Sequence, residues 1–431
     1  MTQKAAIQKA TLHEADIVIL GAGAAGTGAA RRLAGTGLSV RVLEALPRPG
    51  GRAWTHQAST HDADGLALDL GCGWLHSGDR NPWTRIAEQA GFTVERSAAA
   101  WGRQYGDLGI APEDHAAAQR AFDAWSERLA SAPPASDCAA DALVAEDAHW
   151  TAYMQALSGY VSGDEMERIS ARDYAAYDAA STYINWRLPA GYGTLVTSSL
   201  PAEIPVHLGT PVEAIRLDGP GVALDTPAGT LRCRAVLVTV STHVLAGDTL
   251  RWPAALDPWR EAATRLPLGR DEKLFLEIVG DSPFEPETHV MGDLHDPQTG
   301  TYYIRPFGRP VIECFFGGAG ARAVERDGTP AAFARAVDEL AKLFGASVRG
   351  CLRPLVASGW AGVPSIGGAY SHALPGYADA RLELARPFDG RLFFAGEATH
   401  PTDFSTAHGA YMSGARAAEE ALAALAALAP R

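Results

Sequence analysis

The chain has 431 residues, 47% of them hydrophobic and 20% charged, which is enough apolar material for two domain cores and excludes a disordered or fibrous protein. A formal net charge of −13 excludes nucleic acid as the main partner, because phosphate binding needs clustered Lys and Arg, and it suits a site that attracts cations. The five cysteines (Cys72, Cys138, Cys233, Cys314, Cys351) lie far apart with no C-x-x-C pair, so neither a disulfide framework nor a zinc or other metal site is suggested.

Met1 to Glu14 is a polar arm without the apolar run of a secretory signal, and no stretch is long and apolar enough to span a bilayer. A cytoplasmic protein with no membrane partner is therefore expected. Ala15 to Leu20 holds four consecutive apolar residues (Ile17, Val18, Ile19, Leu20), as a parallel strand buried on both faces requires. Gly21-Ala22-Gly23-Ala24-Ala25-Gly26 follows at once, then a helix over Ala24 to Leu33 and a second strand over Leu38 to Leu43, ending at Glu44. This βαβ unit has the G-x-G-x-x-G spacing of a dinucleotide site. Its glycines let backbone approach a pyrophosphate, the helix N-terminus faces the phosphates, and Glu44 accepts ribose hydroxyls.

Asn81 to Tyr183 is helical in composition, rich in Ala, Glu, Arg and Trp, and broken at Ala132-Pro133-Pro134-Ala135. Asp164, Glu165, Glu167 and Asp173 in this stretch read as a solvated helical face. Strand-like runs return at Val206 to Leu217, where alternation is loose, at Ala235 to Val240, and from Lys273 to Phe316. Arg391 to Ala395 reads as a buried strand and Gly409 to Leu428 as the closing helix. A helix N-terminus beginning near Thr406-Ala407 would stabilise negative charge on a ligand. No internal repeats are present.

Gly50-Gly51-Arg52, just beyond Glu44, looks like the extended fingerprint of FAD enzymes, in which a second glycine pair and an arginine support the pyrophosphate. Four further segments carry a wider resemblance. They are Asp69-Leu70-Gly71-Cys72-Gly73-Trp74-Leu75-His76, Leu268 to Glu277, Trp360 with Gly368-Ala369-Tyr370-Ser371, and Phe394-Ala395-Gly396-Glu397-Ala398-Thr399-His400. With them the chain resembles the flavin-containing amine oxidases, and the polyamine oxidase and lysine-specific demethylase branch more than the monoamine oxidases.

The resemblance implies a two-domain α/β fold. A discontinuous, Rossmann-like FAD-binding domain would come from residues 1–80, 190–265 and 385–431. An α+β substrate-binding domain would come from 81–189 and 266–384. It implies non-covalent FAD contacted by Gly21, Ala22, Gly23, Ala25, Gly26, Glu44, Ala45, Gly51, Arg52, Gly73, Trp74, Leu75, Val212, Trp360, Gly396, Glu397, Thr406 and Ala407, with Ala369 where monoamine oxidases carry a tethering cysteine.

It also implies that Lys273 stands beside the flavin and assists oxygen reduction. By composition alone that lysine would be a snorkelling surface residue. Tyr370 would be one aromatic wall of the substrate cage, His76 a substrate-side histidine that could equally be bonded to backbone, and Thr406 the replacement of a second cage tyrosine. The implied reaction is hydride transfer from the α-carbon of a small amine, hydrolysis of the iminium to a carbonyl compound, and reduction of O2 to hydrogen peroxide. A flavin desaturase, an L-amino-acid oxidase and a redox-sensing flavoprotein stay open, as does a homodimer.

Overall fold

A computed structural model describes residues 14–61, 64–101, 105, 108 and 110–427, so the expected arm before Glu14 and Leu428 fall outside the described residues. The first strand is Ala15–Leu20 and the first helix Ala24–Leu33, as expected. The strand enters a seven-stranded sheet between Val40–Leu43 and Gly229–Val238, parallel to both, and Ile17 to Ile19 are fully buried. Burial on both faces by a covered parallel sheet explains the unbroken apolar run. Leu392–Phe394 pairs in parallel with the end of Gly229–Val238, and Val206–His207 closes the other edge beside Val40–Leu43. Gly221–Thr226 and Ala214–Asp218 extend the sheet antiparallel.

The second strand begins at Val40, two residues later than expected. The loosely alternating stretch from Val206 to Leu217 is two strands. Pro211 has no N–H to offer a ladder, and Gly209 adopts φ +59, so the chain turns between them. Ala235 to Val240 is the tail of a ten-residue strand, the Arg391 strand trims to Leu392–Phe394, and the closing helix runs Ala407–Ala427. That helix crosses the first one tightly: a Cβ on Gly28 would strike Tyr411 O, and one on Gly414 would strike Ala25 O.

A five-stranded sheet of antiparallel neighbours lies apart from the first, in the order Thr288–Met291, Thr301–Ile304, Val311–Gly317, Asp271–Ile278, Leu352–Ala357. Alternation sets its two faces. Leu274, Leu276, Ile312, Cys314, Phe316 and Tyr302 pack under the helix Thr329–Phe344. The opposite face carries Asp271, Lys273, Phe275, Glu313, Phe315, Thr301 and Tyr303 in register. Beside it stand the helices of the middle segment, among them Pro112–Ser131, which ends just before Pro133-Pro134, and Thr151–Ser162. No helix among the described residues is long and apolar enough to cross a membrane.

Candidate active site

The glycine turn is shaped by backbone closeness. Gly21 has φ +107, and a Cβ on Gly26 would meet Gly21 O far inside 3.0 Å, so the helix can start this close to the strand only without a side chain there. Gly23 caps the helix with no side chain bonded to its first turn and no acidic residue in that turn. The positive helix end is therefore left for an external anion. Gly50 bridges in parallel to Gly23 and donates to Ala22 O at 2.8 Å, bringing the second glycine pair against the first. A Cβ on Gly51 would stand 3.6 Å from Gly23 Cα, filling the gap between the loops. A cradle that side chains would fill, facing a bare helix N-terminus, fits a pyrophosphate.

Glu44 is buried, with Oε2 accepting from Ala22 N and Oε1 from Leu46 N, each at 2.8 Å. Burial raises its pKa, and each oxygen keeps a second lone pair for a ribose hydroxyl. Ala45 adjoins it, and the loop that carries Val212 passes alongside, with Thr210 N donating to Glu44 O at 2.8 Å. Val212 itself packs on the sheet's core.

Arg52 reaches across to Glu397, Nη1 to Oε1 at 3.0 Å, and donates to Ala369 O. Glu397 also accepts from Ser371 Oγ at 2.7 Å and from Ser405 N at 3.0 Å. Burial works to raise its pKa, but Arg52, Ser371 and Arg381 outweigh that and hold it low. Behind it, Arg381 is fully buried, paired to Asp173 at 2.6 Å and bonded to Ser371 Oγ at 3.0 Å. Asp173 and Asp164 are thus buried ion-pair members, contrary to the solvated face expected of them. Helical spacing could not reveal this, because Arg381 lies 208 residues from Asp173.

Lys273 is buried at 8% exposure, which corrects its reading as a surface residue. Its Nζ pairs with Glu313 Oε1 at 2.7 Å and donates to Asp69 O at 3.2 Å. A Cβ on Gly73 would lie 3.3 Å from that nitrogen, so the two pack closely there. Asp69 accepts from Thr55 Oγ1 at 2.6 Å and Tyr192 N at 2.9 Å. Trp360 bonds Leu70 O through Nε1 at 3.2 Å, and its own N–H goes to Glu272, whose carboxyl burial pushes up to about 7.

Beyond Gly73, the short strand Trp74–Leu75 buries Leu75 and presents Trp74 to Trp101 at 4.0 Å and to Tyr303 at 5.7 Å between ring centres. His76 lies 6.0 Å from Trp101, with Nδ1 2.8 Å from Asn185 Oδ1. Burial lowers its pKa to about 4, so the ring is neutral, with its proton on Nδ1 and Nε2 free to accept. Tyr370 donates to Tyr160 O at 2.7 Å, and Tyr160 packs 5.8 Å from Phe315. Arg187 lies against Trp74, Tyr303 and Phe307, with both terminal nitrogens on Glu287. Lys273, Glu313, Tyr303 and Trp74 form one continuous line from Gly73 to these aromatic side chains.

Thr406 stands at the start of the closing helix, beside Ala407, which packs against the cluster that holds Leu75 and Cys72. Its hydroxyl donates to Asp403 O at 2.6 Å and accepts from Gly409 N at 3.0 Å, capping the closing helix just before Ala407. Gly396, with φ +135, holds that helix through Ser413 Oγ at 3.0 Å. Sequence reasoning missed Trp101, Tyr303, Glu313 and Asp271. The available signal was alternation: Thr301 and Tyr303, like Glu313 and Phe315, are polar or aromatic every second residue on strands whose other residues are core.

Residues 24–422 match the model of a family described as flavin containing amine oxidoreductase. Among curated proteins the chain is similar to polyamine oxidase 4 of Oryza sativa subsp. japonica, 25% identical over 96% of this chain and 90% of that protein. Polyamine oxidase 1 of the same plant is 28% identical over 94% and 96%. Lysine-specific histone demethylase 1 homolog 2 of Arabidopsis thaliana is 25% identical over 95% of this chain but only 58% of its own length.

Proposed function

Because this chain belongs to the flavin-containing amine oxidoreductases, we propose that it is an FAD-dependent oxidase of an aliphatic polyamine or a related primary or secondary amine. FAD, held without a covalent tether, supplies a two-electron acceptor for the α-hydrogen of the amine and a route for those electrons to oxygen. Gly21 to Gly26 and Gly51 would hold the pyrophosphate at the helix N-terminus, while Glu44 and Ala45 would take the ribose. Gly73, Trp74, Leu75, Trp360, Gly396 and Ala407 would line the remainder. Arg52 acts through Glu397 to keep the two glycine loops and the closing helix together, and Thr406 acts as that helix's cap.

The line Gly73–Lys273–Glu313–Tyr303–Trp74 is the observation that supports this reading best. It leads from Gly73 to the aromatic faces of Tyr303 and Trp74, which suit an amine with an apolar stem. His76, being neutral, accepts a hydrogen bond from the amine through Nε2. The aromatic walls exclude water and favour the uncharged amine whose lone pair assists loss of the α-hydrogen. The iminium then hydrolyses to a carbonyl compound and a shorter amine, and oxygen leaves as hydrogen peroxide, with the Lys273 charge assisting. Arg187 is neutralised by Glu287, which disfavours a substrate carboxylate here and so an amino-acid oxidase.

Anaerobic mixing of the purified holoenzyme with spermine, spermidine, putrescine, aromatic monoamines and amino acids tests the proposal. Bleaching of the flavin band by an aliphatic amine is the expected result. A yellow protein that no amine bleaches would overturn it.

A further inference from the structure

Four donors converge on one carboxylate at the far end of the aromatic line. Arg187 gives Glu287 both terminal nitrogens, Nη2 to Oε2 at 2.7 Å and Nη1 to Oε1 at 3.4 Å. Tyr303 donates its hydroxyl to Oε2 at 2.9 Å, and the Phe307 N–H goes to Oε1. A guanidinium in two-point contact, completed by a hydroxyl and a backbone N–H, is the arrangement that receives a carboxylate. The backbone is bent to build it. Glu287 precedes the strand Thr288–Met291, and Arg305 and Phe307 follow the neighbouring strand Thr301–Ile304. All three have left-handed φ, +56, +47 and +58, where a side chain is disfavoured and glycine is at ease.

The guanidinium is otherwise enclosed. Arg187 is the cross-strand partner of Trp74, and the rings of Trp74, Tyr303 and Phe307 lie 5.0, 5.0 and 4.4 Å from its central carbon. Its side chain is 6% exposed and that of Glu287 37%, so the glutamate stands between the cation and solvent. Two other charged groups lie near. Glu95, whose backbone pairs with that of Arg187, turns its carboxylate to Ser97 N at 2.8 Å, and Arg309 gives its terminal nitrogens to Ala67 O and Pro189 O. Neither enters the pair.

We infer that Glu287 is a specificity-determining residue. Its carboxylate occupies a receptor formed by Arg187, the Tyr303 hydroxyl and the Phe307 N–H, and so excludes carboxylate-bearing amines from the aromatic end while leaving apolar stems unopposed. Without that side chain the same donors receive an external carboxylate. That the receptor lies on the substrate's path rests on the amine-oxidase reading, and that it binds a carboxylate does not.

Glu287→Gly removes the side chain at a backbone angle that glycine adopts, and Glu287→Gln removes the charge alone. Phenylbutyrate and its neutral amide are titrated into each holoenzyme by calorimetry. Wild type is expected to show no preference for the acid, Glu287→Gly to bind it about tenfold or more tightly than the amide, and Glu287→Gly with Arg187→Met to lose that gain. An acid-to-amide ratio unchanged from wild type, or a gain that survives Arg187→Met, would overturn the inference. Should the glycine variant not fold, Glu287→Gln is expected to show the same preference at about threefold and is judged in the same way. These titrations need no turnover, so they stand even if no amine reduces the flavin.

With a turned-over amine, kcat/KM for δ-aminovalerate relative to pentylamine is expected to rise about tenfold in Glu287→Gly, through KM. Acid binding with that ratio unchanged would place the receptor outside the substrate's path and overturn the specificity role.

Discussion

The glycine cradle and the sheet face bearing Lys273 are linked through one short segment, in which Gly71 lies against Arg52 O and Gly73 against Lys273 Nζ, but they are built on opposite principles. The cradle is made of missing side chains: Gly21, Gly26 and Gly51 matter because nothing projects from them, and a Cβ there would meet Thr239, Gly21 O and Gly23 Cα respectively. The Lys273 face is made of side chains that need one another, joined from strands and loops far apart in the chain: Lys273 with Glu313 and Asp69, Tyr370 with Tyr160, Trp74 with Trp101 and Tyr303. A local pattern can specify the first kind of site. The second exists only once the chain has closed.

That contrast can be broken most severely behind the pocket. Asp173→Ala leaves Arg381 charged, buried and unpaired, and should lower stability by about 3–5 kcal/mol in chemical denaturation. A loss under about 1 kcal/mol would mean that the pair adds little beyond packing. Next comes Gly26→Ala, whose added methyl meets Gly21 O. We expect about 3 kcal/mol of destabilisation and protein that purifies without its yellow colour. Retained flavin at full stoichiometry would show that the strand and helix can move apart.

Lys273→Met sharpens the comparison from the pocket side. Reoxidation of the reduced enzyme by oxygen, followed by stopped flow, should slow about tenfold to a hundredfold, equivalent to ~1.4–2.7 kcal/mol, while anaerobic reduction changes less. Equal slowing of both half-reactions would place the lysine in amine binding instead.

The smallest effect concerns His76, whose pKa burial lowers to about 4 in the folded chain from an ordinary 6.5. The unfolded chain then takes up more protons between those values, so stability is lost as pH falls through that window. Near pH 5.5 this amounts to roughly 1 kcal/mol, which His76→Asn should remove, visible as a shallower fall of melting temperature on acidification. Since the ring stays neutral above that range, the variant should also leave the alkaline side of the kcat/KM profile in place.

How much could be read beforehand follows the same division. The first strand and first helix were legible to the residue because an apolar run, three glycines and a helix start lie within 19 consecutive positions, Ala15 to Leu33. The loose run after Val206 reads as one strand because period-2 alternation is weak there, whereas Gly209 and Pro211 divide it into two. Lys273 was picked out through family resemblance, yet its burial was not, since Glu313 and Asp69 come from other strands. Asp173 was taken for a solvated residue because nothing near it in sequence announces Arg381.

By itself the sequence determined the strand, the glycine turn and the bare helix N-terminus at Gly23, since strand, turn and helix propensities act over a few residues. Only the tertiary structure decided that Arg52 would join Glu397, that Lys273 would be buried against Glu313, and that Asp271 would be left without a donor beside Tyr370. The reason is desolvation: whether a polar side chain is paired, neutral or exposed depends on what the folded chain brings against it, and that energy does not exist until the surfaces meet.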